Sequence, residues 1–428
     1  MTIATTTTNA RDLPHRLTSL AAFLLVALAV WVPSGYSYGA ALLLLGALFC
    51  APRWLARRPD PGTLGLVLLL AAMGGMWFML SLDAGMARWD KGSKWLLGVP
   101  CLLFVLACPP RPRAFMAGLP LGCAGMGALG LWQVCGKGME RATGFTNAIQ
   151  WGNLALLLAC FAAVCAVVYW RRRGWPWRAL MVLSVAAGLT ASLLSQSRGG
   201  WVALLLVYPV LLLQVRQVRP RVFGRLLALS LLSFAVLGAV LALTPSLHER
   251  VGLAVTEVEG YYGADADGTS LGIRLDQYRL AAQMIAQKPW LGWGAQGFVH
   301  EMHRRVASGD FGAMLVHYPQ IHNDFLDVWV KMGLPGVLLQ AALFAYVLGL
   351  FWPSRRRMRR WPDDSAAWHD ALALRAMGSL VPVCYLMFGM SQPFFNHNSG
   401  IMFFVFYVAV LWAALRGVER TAGPGAPA

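Results

Sequence analysis

The stretch from Leu154 to Arg173, LALLLACFAAVCAVVYWRRR, decides how this chain folds. From Ala148 to Trp170 no residue carries a charge, and the run ends on Arg171, Arg172 and Arg173. A bilayer core about 30 Å thick needs roughly 20 apolar residues in a helix, within a range of about 17–25. Backbone in hydrocarbon must satisfy its own hydrogen bonds, which a helix does within one segment. Residues 148–170 are therefore read as a membrane-spanning helix closed by a basic anchor.

Similar runs recur on both sides of it. They lie at 17–33, 36–51, 62–82, 95–110 and 114–134, then at 179–195, 200–215, 226–244, 335–352, 372–390 and 400–415. The expected fold class is an all-α integral membrane protein with about twelve transmembrane helices and one large, partly helical periplasmic loop. Pro100 and Pro120 fall inside runs, which membrane helices tolerate where neighbours re-satisfy the backbone. Composition agrees. The chain is 58% hydrophobic and 13% charged, against roughly 45–50% and about 25% in soluble domains.

Basic residues set the expected orientation. With the N-terminus inside, the inner segments hold Arg11 and Arg16; Arg53, Arg57 and Arg58; Arg111 and Arg113; Arg171 to Arg173 and Arg178; Arg216, Arg219, Arg221 and Arg225; Arg355 to Arg357, Arg359 and Arg360; and Arg416 and Arg420. The net charge of +17 is thus mostly a topology signal, and nucleic acid is not an expected partner. The expected organisation is a cytoplasmic segment 1–16, nine spans over 17–244, a periplasmic loop 245–334, three spans over 335–415 and a disordered cytoplasmic tail 416–428. All five lysines fall on the outer side in this scheme, and nothing in the sequence explains that. Six of the eight cysteines lie inside spans, with no spacing that suggests a disulfide or a metal site; they read as small packing residues.

The loop of about 90 residues breaks the rhythm. Loops that long are functional or disordered, and this one is rich in Trp, Phe and Tyr. Residues 275–287 read as an amphipathic helix with Leu275, Tyr278, Ala282 and Ile285 on one face. Lys288-Pro289 ends it, and Leu291-Gly292-Trp293-Gly294 makes a tight turn. A second helical stretch is expected over 321–332.

Three patterns could carry chemistry. Ser195-Gln196-Ser197-Arg198-Gly199-Gly200 closes the seventh span. An Arg beside the membrane is expensive and tends to be functional when it faces the protein interior; the bland reading is a snorkelling interfacial side chain. Gly272-Ile273-Arg274 opens the first loop helix, where the helix dipole favours an anion over a cation. A bound anion would resolve that conflict. His322-Asn323-Asp324 opens the second, but five of the eight histidines lie in or beside this loop, so composition singles out none. Asp265-Ala266-Asp267-Gly268 lacks the further ligands of a calcium loop and reads as an acidic turn. His397 sits between Asn396 and Asn398 in the last outer loop, and Arg141 lies in an earlier one.

Taken in order, these motifs resemble the bacterial O-antigen ligases, in the group that also holds O-antigen polymerases and bacterial protein O-oligosaccharyltransferases. The carrying residues are Ser195 to Gly199, Gly272-Ile273-Arg274, Pro289-Trp290-Leu291-Gly292-Trp293-Gly294, His322-Asn323-Asp324-Phe325-Leu326 and Gly333-Leu334-Pro335-Gly336. The resemblance is strong over about 190–340, weaker at Arg141–Asn147, and elsewhere rests on hydropathy and topology. The chain ends soon after its last run, as the ligases do.

The resemblance implies a multi-pass protein of the bacterial inner membrane, with both termini cytoplasmic and a periplasmic active site. It implies glycan transfer from undecaprenyl diphosphate to a sugar hydroxyl of lipid A–core, without metal or other cofactor and with inversion. Arg198 and Arg274 would hold the donor diphosphate, since guanidinium offers paired planar donors to phosphate. His322 would take the acceptor proton, as a histidine can near neutral pH. Asn323, Arg141, His303, Arg304 and Arg305 are candidates for support or for the acceptor, the last three forming a basic row. The polymerases share the donor but use a lipid-linked glycan acceptor. A transporter would place ionisable groups mid-membrane, often in related repeats; few charges lie inside the spans here.

Overall fold

A computed structural model of the chain describes residues 12–83, 89–243 and 270–421. The segment before Asp12, the expected turn at Asp265–Gly268 and the tail beyond Thr421 lie outside the described residues. Among the described residues the regular structure is helical, with no strand. In chain order the main helices are α1 (Leu13–Ala27), α2 (Gly35–Phe49), α3 (Pro61–Asp83), α4 (Asp90–Ala107), α5 (Pro112–Leu131, continued by a π-helical turn), α6 (Ala148–Tyr169) and α7 (Trp175–Leu194). There follow α8 (Ala203–Val218), α9 (Pro220–Leu243), α10 (Ser270–Gln287), α11 (Gly294–Ala307), α12 (Asp324–Phe351), α13 (Ala366–Gly389) and α14 (Asn398–Thr421).

A helix occupies each of the twelve expected span positions. Eight helical segments among the described residues are long and apolar enough to cross a membrane: α3, α5, α6, α7, α8 with the short turn before it, α12, α13 and α14. α1 and α2 are apolar but shorter, and α4 opens on Asp90, Lys91 and Lys94.

The chain divides into two compact units, residues 1–207 with 338–428, and residues 208–337. In the first, α6, α13 and α14 are enclosed by neighbours, with 78%, 83% and 89% of their apolar windows buried, whereas α7 reaches only 28%. Hydrocarbon-facing and protein-facing helices have similar composition, so only packing separates them. α14 lies against α4 and α13, and α6 against α5, α7 and α13. At one end of this unit Arg420 bonds the Leu106 carbonyl (2.8 Å), Arg416 pairs with Asp60 (3.4 Å), and the buried Arg375 pairs with Glu419. At the other end Lys91 and Lys94 donate to Asn396 (2.8 Å) and Asn398 (3.0 Å).

The second unit wraps α10, α11 and the start of α12 around Leu280, Met284, Phe298, Met302, Leu315 and Ile321. Two expectations need correction here. The buried face of α10 is Gln277, Leu280, Ala281 and Met284; Leu275, Tyr278 and Ile285 are half-buried and Ala282 is exposed. The polar Gln277 goes inside because its amide is bonded there, which an apolar-stripe reading cannot anticipate. The second correction concerns the basic row. Residues 294–307 form α11, whose inner face is Phe298, Glu301, Met302 and Arg305. Arg305 is buried and bonds Glu301 (2.7 Å), Gln283 (2.7 Å) and Gln287 (3.0 Å), clamping α11 to α10. Arg304 also bonds Glu301, at 2.8 Å and 2.6 Å. Arg305 therefore serves the packing of the unit, while His303 and Arg304 stay on the exposed side of α11.

Two glycine motifs lock together. Gly292 (φ 68°) and Gly333 (φ 69°) both have left-handed backbone. A Cβ on Gly292 would lie 2.6 Å from the Lys331 carbonyl carbon, and one on Gly333 would collide with the Trp290 carbonyl. Close approach lets the Trp293 N–H donate to Val330 O (2.8 Å) and the Leu334 N–H to Pro289 O (2.9 Å). The expected stretches 321–332 and 335–352 join across this break at Gly333 to make α12.

Candidate functional site

In the unit of residues 208–337, His322 occupies the turn just before α12. Asn323 caps that helix, its Oδ1 accepting from the N–H groups of Phe325 (3.0 Å) and Leu326 (3.2 Å). Gln277 of α10 meets the same turn. Its Oε1 accepts from the His322 backbone N–H (2.9 Å) and lies 2.8 Å from His322 Nδ1. Its Nε2 donates to Gln320 O (2.9 Å). The Tyr278 hydroxyl donates to His322 O (3.3 Å), and the Tyr318 ring stands edge-on to the imidazole. Behind the turn, buried Asp327 accepts from the Ile321 N–H (2.9 Å) and pairs with Lys331 (2.6 Å).

Arg274 lies one helical turn before Gln277 and Tyr278, on the same side of α10. It is half-buried, and no described residue hydrogen-bonds or ion-pairs with its guanidinium. Burial pushes the His322 pKa below its ordinary 6.5; the charge of Arg274 pushes the same way, and Asp327 opposes. The imidazole is thus neutral near pH 7 and able to accept a proton.

The Ser195–Gly200 motif is built in the other unit. Ser195 ends α7, and Gln196 takes a left-handed φ of 54°. The turn is tied down by Arg141 Nε donating to Ser195 O (3.0 Å), Gln196 Nε2 to Glu140 O (2.7 Å), and Ala142 N–H to Leu194 O (2.8 Å). Ser197 Oγ donates to Asn153 Oδ1 on α6 (3.3 Å). A Cβ on Gly200 would collide with Asn153 Oδ1, and one on Gly152 with Ser195 Oγ. The serines and glycines thus seat the turn against α6. Arg198 is left exposed, with no side-chain partner among the described residues. Arg141 is a strap for this turn in the geometry seen here.

Beneath the turn, Gln150 and Asn153 are fully buried, and Gln150 Nε2 and Asn153 Nδ2 have no hydrogen-bond partner among the described residues. His397 bonds Gln392 (2.7 Å) and lies 3.5 Å from Asn147 Nδ2, so it braces the loop before α14. Gln277, Gln150 and Asn153 escaped the sequence reading. The available signals were two amides at i, i+3 in an apolar run and a Gln three residues after Arg274.

Residues 183–341 match the family model described as O-antigen ligase. Over this stretch the chain is of the O-antigen ligase type. The match spans the Arg198 turn, Arg274, the interlocked glycine motifs and His322. The chain is also similar to an uncharacterized protein of Haemophilus influenzae, 24% identical over 381 residues, covering 87% of this chain and 92% of that protein. With its apolar helices and this match, the chain is a multi-pass membrane protein. The match points to a glycosyltransferase-like enzyme of the O-antigen pathway.

Proposed function

We propose that this O-antigen ligase-type protein transfers O-antigen glycan from undecaprenyl diphosphate to a sugar hydroxyl of lipid A–core at the periplasmic face of the bacterial inner membrane. The observation that carries this reading is His322, held at the start of α12 by Gln277 and the Asn323 cap, with the half-buried Arg274 among the charges that reach it. The acceptor hydroxyl attacks the anomeric carbon, a new C–O bond forms, and the bond to the diphosphate oxygen breaks. The hydroxyl proton goes to His322 and the electron pair leaves with the diphosphate. Arg198 and Arg274 hold that diphosphate and stabilise the charge growing on its oxygen, as pre-placed donors do in a site poor in water. A single displacement of this kind inverts the anomeric centre. Asn323 fixes the start of α12, and the exposed His303 and Arg304 on α11 are the remaining candidates of the basic row for the acceptor.

Polymerase chemistry shares the donor and the same three residues, and differs in its acceptor. The deciding experiment gives purified protein a lipid-linked glycan together with lipid A–core and a second lipid-linked glycan in parallel. Product on lipid A–core supports the ligase reading; extension of the lipid-linked glycan alone makes the enzyme a polymerase. A null strain should accumulate lipid-linked O-antigen and carry bare core lipopolysaccharide. His322→Ala should abolish transfer yet keep donor binding, whereas Arg198→Ala and Arg274→Ala should weaken that binding.

A further inference from the structure

Gln277 is buried at 1% exposure on a helix face otherwise given to Leu280, Ala281 and Met284. A buried amide without partners costs about 1–3 kcal/mol, so its bonds are what hold it there. Their pattern fixes more than position. Gln320 O can only accept, so the amide atom facing it must be the NH₂ group. The other amide atom is then the oxygen, which agrees with its taking the His322 backbone N–H. An oxygen can only accept, so the His322 Nδ1 that lies 2.8 Å from it must carry a hydrogen. The tautomer follows from the network of heavy atoms, because each assignment forces the next.

We infer that Gln277 is a positioning residue that locks the His322 imidazole in its Nδ1–H tautomer and turns a bare Nε2 toward the acceptor hydroxyl. This deepens the transferase reading and rests on it. An amide suits the task better than the carboxylate often found behind a functional histidine. A carboxylate would stabilise the imidazolium and keep the base protonated near neutrality. The amide orients the ring without adding charge. The charged and titratable groups around His322 are Arg274 and Tyr278 on α10, Tyr318 in the connecting turn, and Asp327 with its partner Lys331 on α12. Arg274 opposes protonation of the ring and Asp327 favours it, while Asp327 is already bonded to Lys331 and to the Ile321 N–H. No carboxylate is in hydrogen-bond contact with the ring among the described residues.

The test has two arms on the full chain in lipid nanodiscs. In the first, ¹⁵N-histidine-labelled protein is compared with its His322→Ala variant, so that the difference spectrum isolates His322. At pH 8 it should show a protonated Nδ1 and a bare Nε2, and Gln277→Met should turn this into a mixture. An Nε2–H signal in the unsubstituted protein overturns the inference. This arm needs no turnover, so it stands even if no transfer reaction is found, and absence of transfer with every acceptor would sink the transferase reading alone. In the second arm, Gln277→Met should lower kcat by about 10-fold to 100-fold, the range known for partners that orient metal-bound histidines, with donor KM nearly unchanged. Gln277→Glu should move the acid limb of the kcat profile upward by about one to two pH units, because the new carboxylate holds the proton on His322. A Gln277→Glu profile that overlays the original also overturns the inference. If that variant does not fold, the Gln277→Met spectrum and its split between kcat and KM decide.

Discussion

Gly333→Ala should be among the most damaging single-methyl changes in residues 208–337. Gly333 combines φ 69° with ψ −169°, a backbone region that costs a residue with a Cβ about 1–3 kcal/mol. The added methyl would also meet backbone, colliding with the Trp290 carbonyl and lying 2.7 Å from Leu291 N. Backbone cannot swing aside as a flexible side chain can, and overpacking of this kind costs about 1–3 kcal/mol. Together these give a loss of roughly 2–6 kcal/mol. The collision should part Lys331–Leu334 from Pro289–Trp293, and with them the bonds Leu334 N–H to Pro289 O and Trp293 N–H to Val330 O. Thermal unfolding in detergent, with limited proteolysis between residues 290 and 335, measures the effect. Gly297→Ala is the control. It lies inside α11, and its Cβ would meet only Trp293 Cβ at 3.6 Å, so helix propensity predicts no loss and a gain of up to about 1 kcal/mol. Equal melting temperatures for the Gly333→Ala variant and the parent would refute the interlock.

Arg198→Lys should lose most transfer activity at normal expression, since a point charge does not replace paired planar donors; full activity would remove the bidentate role. Because two arginines supply the positive charge in this reading, turnover in EDTA should match turnover in its absence, and a loss restored by one divalent ion would revive Asp265 and Asp267 as ligands. Arg304 first, then Arg305, holds the Glu301 carboxyl at about 2 against an ordinary 4.5. A carboxylate depressed this way adds stability above pH 4.5 that disappears as the pH falls toward 2, so Glu301→Gln should lower the melting temperature at pH 7 and flatten its acid dependence; an unchanged acid limb would show the pair is idle. Cysteines placed at Gly268 and Ser354 should label from opposite sides of the membrane, and labelling from one side would reject the orientation drawn from the arginines.

Hydropathy alone located a helix at each of the twelve span positions, because a run such as Ala148–Trp170 has few other ways to satisfy its backbone. It could not rank the helices by burial: α7 and α14 are both apolar, yet one is mostly open and the other enclosed. The order of Arg198, Arg274 and His322 pointed to the family, but the sequence did not separate residues that build turns from those left free. Arg141 and Arg198 read alike as outer arginines, and the structure spends one on a backbone carbonyl and leaves the other exposed. α11 was missed for a specific reason. Its inner face carries Glu301 and Arg305 one turn apart, and their mutual bond lets charge occupy core positions and erases the apolar period. Gln277 was hidden by the same rule, a polar residue inside because its partners are there.

The enclosure of α14 has a consequence for biosynthesis. The helix with the largest buried share is Asn398–Thr421, the one furthest along the chain among those described. Helices made early, α1, α2, α4 and α5, await the rod they pack around until the ribosome has read past residue 421. During that interval the Leu25 carbonyl of α1 lacks the Tyr407 hydroxyl that donates to it (3.5 Å), and faces meant for a protein interior stand in lipid or against a chaperone. Shortening the chain by one helix at this end would thus remove its keystone.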